Sequence, residues 1–135
     1  MFFMVNEIIE EEKVLQNHLR KVAETDGLTG ILNRASGERK IISQLNANRS
    51  GAFGILDCDD FKGINDNYGH GIGDKVLIMV AHSLTEAMGA ENIVLRLGGD
   101  EFAFYLIDCN CKRQLSSVVT KFFTIGFHPY TSAKR

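Results

Sequence analysis

Along residues 4–24, MVNEIIEEEKVLQNHLRKVAE, the apolar residues Val5, Ile8, Leu15, Leu19 and Val22 fall on alternating three- and four-residue steps, with Glu12 in the one polar slot. That spacing predicts an amphipathic helix with a heptad seam. The seam is short for a coiled coil, so two fates stay open: the helix lies on its own domain, or it forms a dimerising stalk. TDGLTGILNR (25–34) breaks the helix at Gly27 and Gly30. Asn33 is then placed to cap a second helix running to about Asn48, with Ile41, Ile42 and Leu45 turned inward. AFGILDC (52–58) reads as a short buried strand. DDFKGINDNYGHG (59–71) is dense in turn formers, with room for one helical turn. From Asp74 to about Met88, Val76, Leu77, Val80, Leu84 and Met88 repeat at helical spacing, with Met79 and Met88 as core filler. Strands are expected at 93–97 and 101–107, a helix near 112–121, and a final strand at 122–127 (FFTIGF). This order predicts one α+β domain with helices covering an antiparallel sheet.

Composition narrows the function. The 135 residues are 44% hydrophobic and 24% charged, enough to bury a normal core. The net charge of −2 argues against a general nucleic-acid surface, which needs a basic stripe. No apolar run is long enough to span a bilayer, and MFFMV is brief and followed by acids, unlike a signal peptide. The expectation is a protein with no direct membrane insertion. Its three cysteines, Cys58, Cys109 and Cys111, fit a reducing, cytoplasmic setting. Cys109-x-Cys111 has no second pair at zinc-finger spacing and reads as plain thiols near a loop.

The chemistry concentrates in two places. In LDCDDFKGINDNYGHGIGD (56–74), Asp57 ends a strand, and Asp59, Asp60, Asp66 and Asp74 crowd the segment after it. Carboxylates gathered in a cleft repel one another unless a cation sits between them. Hard oxygen donors suit Mg²⁺, which takes one or two carboxylates and completes its shell with water and phosphate oxygens. The competing reading is a solvated acidic loop. In LRLGGDEFAFYL (95–106), Gly98-Gly99 permits a tight reversal, and Asp100 and Glu101 follow at once. If this hairpin lies beside the strand ending at Asp57, three carboxylates meet at one end of the sheet. Lys62 and Arg96 are the nearby cations in sequence, and Arg96 reads best as a structural partner for an acid.

RLGGDEF, DCDDFKGINDNYGHGIGD and DGLTGILNR, in this order and spacing, resemble the GGDEF domain of bacterial diguanylate cyclases, over about residues 25–107. The resemblance implies a βαββαβ, ferredoxin-like core of the nucleotidyl-cyclase or palm type with surrounding helices. It implies a division into a signalling or linker helix (1–24) and a GGDEF domain (25–135). It also implies an activity: two GTP molecules condense to cyclic di-GMP with release of pyrophosphate. Each protomer of a homodimer holds one GTP, usually under an upstream sensor domain. By the same resemblance, Asp57 and the carbonyl of Cys58 bind Mg²⁺ (or Mn²⁺). Asp100 is the metal-ligating acid and general base, and Glu101 supports the metal site. Asn65 and Asp74 read the guanine edge, and His70 belongs to the same substrate-binding stretch. Amides near Asp60 and Phe61 meet the phosphates with Lys62 beside them, while Gly98 and Gly99 let the nucleotide pack on the turn. Asp74 has a second reading, as a first-turn acid favoured by the helix dipole.

Two departures from the family pattern qualify this. Where many members carry an inhibitory Arg-x-x-Asp, this chain reads Gly89-Ala90-Glu91-Asn92, so no product inhibition through that site is expected. Fewer residues follow Phe102 than the family carries there, although FTIGF (123–127) resembles its late strand and Lys134 and Arg135 resemble its phosphate clamp. The expectation is an incomplete C-terminal part. The alternative to a cyclase is therefore a non-catalytic GTP-binding or dimerising module.

Overall fold

The computed structural model describes residues 1–126. Helix α1 (Phe2–Glu24) stands on the heptad pattern but buries none of its residues. This exposure argues against the reading in which α1 lies on its own domain. Asn33 ties the end of α1 to the start of the next helix. Its side chain accepts from the Ser36 amide at 3.0 Å, and its Nδ2 donates to the Ala23 carbonyl at 2.8 Å. Helix α2 (Arg34–Asn46) follows from this cap. Only Ile41 of its three expected inward residues packs on the core; Ile42 and Leu45 are exposed.

Strand β1 (Gly51–Asp57) is followed by the short helix α3 (Phe61–Tyr68) and the long helix α4 (His70–Met88). The expected single turn is thus two helical turns, and α4 starts four residues earlier than its apolar pattern. Strands β2 (Ile93–Gly98) and β3 (Glu101–Ile107) form the hairpin, and α5 (Lys112–Gly126) closes the described chain. The sheet order is β1-β3-β2, antiparallel throughout.

On one face, Leu77, Val80 and Leu84 of α4 pack against Val94, Phe102, Phe104 and Leu106, with Phe122 of α5. Full burial of side chains such as Leu84 and Phe102 contributes roughly 1.5–3 kcal/mol each. On the other face, Ile93, Leu95, Ala103 and Tyr105 take Leu32 and Ile41. That second layer does not extend over β1. The strand expected to be buried instead alternates, with Phe53 and Ile55 exposed.

The strand expected at 122–127 is not formed: residues through Gly126 are helical in α5, and Phe127 lies outside the described residues. Leu115, Val118, Val119 and Phe122 recur at three- and four-residue steps against the α4 core, so helical packing overrides the β-branched and aromatic composition. Lys134 and Arg135 also lie outside the described residues.

Candidate functional site

The hairpin turn is built by two glycines, Gly98 at φ 152° and Gly99 at φ 52°, the second in the left-handed region that most residues avoid. A register shift between Arg96 and Gly98 opens the end of the ladder. Because β3 pairs with β1, Glu101 comes directly opposite Asp57. The Cys58 amide donates to the Asp100 carbonyl at 3.3 Å. Asp57 and Glu101 therefore face each other at one end of the sheet, with Asp100 in the adjoining turn. Directly opposed residues share a face, and like charges so placed repel.

The negative field registers on the neighbouring thiol. Burial pushes Cys58 up to about 11, and the charges of Asp100, Asp57 and Asp59 add to the effect. Among the described residues no three His, Cys, Asp or Glu side chains converge into a set that could cage a metal. Paired carboxylates without a full protein cage fit Mg²⁺ or Mn²⁺, which recruit phosphate oxygens and water, better than a structural zinc.

Beyond β1 the chain reverses through Asp60, whose backbone is left-handed (φ 54°), directly into α3. The Phe61 amide turns back onto the Cys58 carbonyl at 3.3 Å, while the Phe61 ring packs against the core. That carbonyl keeps a second lone pair for a cation. Lys62, the second residue of α3, is exposed. One turn further, Oδ1 of Asn65 is buried with no hydrogen-bond partner. It faces Gly73 of α4, where a Cβ would sit only 1.9 Å from it. A buried amide oxygen left unsatisfied is unusual and marks a place where a donor is wanted. Asp74 follows Gly73 and is exposed, as is His70 at the start of α4. Since α4 begins at His70, the first turn holds no acid and the helix-dipole reading of Asp74 falls.

Arg96 braces the turn from outside the acid pair. Its guanidinium grips Asp26 at 3.1 Å and donates to the Gly99 carbonyl at 2.7 Å. Burial pushes Asp26 up, but hydrogen bonds from the Thr29 hydroxyl and amide, then Arg96's bond and charge, outweigh it and hold the carboxyl below 3.8. Asp26 is a positioning residue that sequence reasoning missed. Its signal was an acid in DGLTG, on a loop that bridges to β2 through Leu32 and Leu95.

The fold and these residues define a nucleotidyl-cyclase, palm-like α+β domain. The family model for the "Diguanylate cyclase, GGDEF domain" matches residues 23–133, and the chain belongs to that family. It is 41% identical over 115 residues to the diguanylate cyclase DgcN of Escherichia coli, covering 81% of this chain and 28% of that protein. It is 40% identical over 100 residues to the cyclic di-GMP phosphodiesterase PdeB of Shewanella oneidensis, covering 74% of this chain and 12% of that protein. Among solved structures it resembles the coiled coil and GGDEF domain of DgcB from Caulobacter crescentus in complex with c-di-GMP. There the TM-score is 0.73 at 26% identity, over 87% of this chain and 65% of that one. The chain spans less than a third of both curated relatives. Family membership places it in cyclic di-GMP signalling.

Proposed function

We propose that this chain carries a diguanylate cyclase half-site that binds one GTP and, facing a second copy, condenses two GTP into cyclic di-GMP. The observation that carries the reading is the pairing of Asp57 with Glu101 beside Asp100, at a turn of two glycines. Asp57, Asp100, Glu101 and the Cys58 carbonyl would hold Mg²⁺ or Mn²⁺. Bound there, the ion supplies charge stabilisation to the attacking oxygen and the leaving pyrophosphate. Asp100 accepts the proton of the 3′-hydroxyl as that oxygen attacks the α-phosphorus of the opposing GTP. Lys62 lies beside the phosphates, and the glycines leave room for the nucleotide on the turn. Asp74 accepts from guanine N1–H and N2–H, a pattern adenine does not present, and the unsatisfied Oδ1 of Asn65 takes a further donor. His70 lines the same stretch. The exposed seam of α1 supports a homodimer, with signals arriving from an upstream sensor domain. No described helix is long and apolar enough to cross a membrane.

A second reading is a GTP-binding regulatory module without turnover. It is favoured by the helical state of residues 123–126, within the stretch that resembles the family's late strand. Incubation of the purified chain with GTP and Mg²⁺ separates the two. Cyclic di-GMP formation supports the cyclase, saturable binding of GTP without product supports the module, and neither outcome would sink both.

A further inference from the structure

We infer that Gly73 is a specificity-determining positioning residue: by lacking a side chain it seats the Asn65 amide against the backbone that carries Asp74, and so sets the preference for a guanine base. The inference rests on the GTP-binding reading of this site and extends it to a residue that acts only through another. Gly73 is buried inside α4. Its backbone is not left-handed, so no turn or special conformation calls for glycine there. Glycine is the poorest helix former after proline. What this position gains from it is therefore room rather than conformation.

The room is taken by Asn65. A Cβ on Gly73 would overlap Oδ1 of Asn65 and lie 3.0 Å from its Cγ and 3.2 Å from Cζ of Phe61. Two backbone hydrogen bonds hold the approach. The Gly69 amide donates to the Asn65 carbonyl at 2.8 Å, and the Gly73 amide donates to the Gly69 carbonyl at 3.2 Å. Asn65 and Gly73 are thus tied through the glycine, at φ 87°, that joins α3 to α4. The Phe61 ring is packed against the core. If a side chain is added at position 73, the group free to yield is the end of the Asn65 side chain. Asp74 comes next in the chain, so one backbone position both seats the amide and carries the carboxylate. A base that must bond to both is selected by their separation, and a site built to bond one polar edge rejects a base with another.

Competition of GTP and ATP for the full chain in the presence of Mg²⁺ tests this, with the parent, Gly73→Ala, Asn65→Ala and the double variant side by side. The parent should prefer GTP. Gly73→Ala should narrow that preference about tenfold, and Asn65→Ala should do the same. The double variant should lose no more than either single one, because both changes remove the same seated amide. A glycine that served only the fold would add its own loss to that of Asn65→Ala. Circular dichroism should show Gly73→Ala folded, since a side-chain end gives way and not the backbone. The inference is overturned by a Gly73→Ala chain that keeps the parent's preference, by losses that add in the double variant, or by a Gly73→Ala chain that does not fold. A parent that does not distinguish GTP from ATP defeats the guanine reading itself, and the inference with it.

Discussion

Arg96 sits two residues before the glycine turn and is bonded both to Asp26 and to the Gly99 carbonyl of that turn. It is 15% exposed and Asp26 20%, so the pair keeps little water and fixes the turn to the DGLTG loop. Removing one member strands the other: Arg96→Met should cost on the order of 3 kcal/mol in urea unfolding, near the low end for a partly buried pair. A cost under about 0.5 kcal/mol would reduce the contact to an ordinary surface ion pair. The sign of the pH dependence follows from Asp26 being held below 3.8. Its contribution is complete above that value and disappears as pH falls through the folded-state pKa. Asp26→Asn should therefore flatten the acid limb of stability against pH below about pH 4. An unchanged limb would show that other carboxylates carry it.

The helices and strands divide by what holds them. Helix α1 buries nothing and is tied at its end by Asn33 and by the Ser36 hydroxyl on the Glu24 carbonyl. Deleting residues 1–20 should leave the stability of the remainder within about 0.5 kcal/mol, as measured by urea unfolding. A loss of several kcal/mol would mean that α1 packs on the domain after all. The heptad seam of α1 was legible because the pattern is local, whereas what covers it was not, because spacing does not name a partner. Helix α4 and the hairpin were legible for the same reason, each being periodic and bounded by glycines. The errors lie where tertiary coverage decides. Apolar β1 is half exposed because no helix lies over Phe53 and Ile55, and α5 runs through FFTIG because its apolar stripe continues onto α4.

Taken as a whole, the fold brings Asp57 and Glu101 opposite each other from segments distant in sequence. Asp57 and Glu101 were readable as partners once the hairpin was placed beside β1, while the Asp26–Arg96 latch needed a loop geometry that no periodicity encodes. The stretch Gly89–Asn92 shows the same division. It was read as lacking inhibitory anchors, and in the fold Asn92 joins the Met88 carbonyl at 2.6 Å to the Ile107 amide at 2.9 Å. That side chain is committed to holding α4 against β3. Added cyclic di-GMP should therefore leave any turnover without noncompetitive inhibition through this stretch, and strong noncompetitive inhibition relieved by substitution at Glu91 would contradict this. The central proposal is that Asp57, Asp100 and Glu101 would hold a metal ion in a catalytic site. Its most direct test is turnover of GTP with Mg²⁺ by the full chain and by Asp100→Ala side by side, with circular dichroism confirming both folds. The expected result is cyclic di-GMP from the parent and none from the variant; a folded Asp100→Ala chain as active as the parent would contradict it.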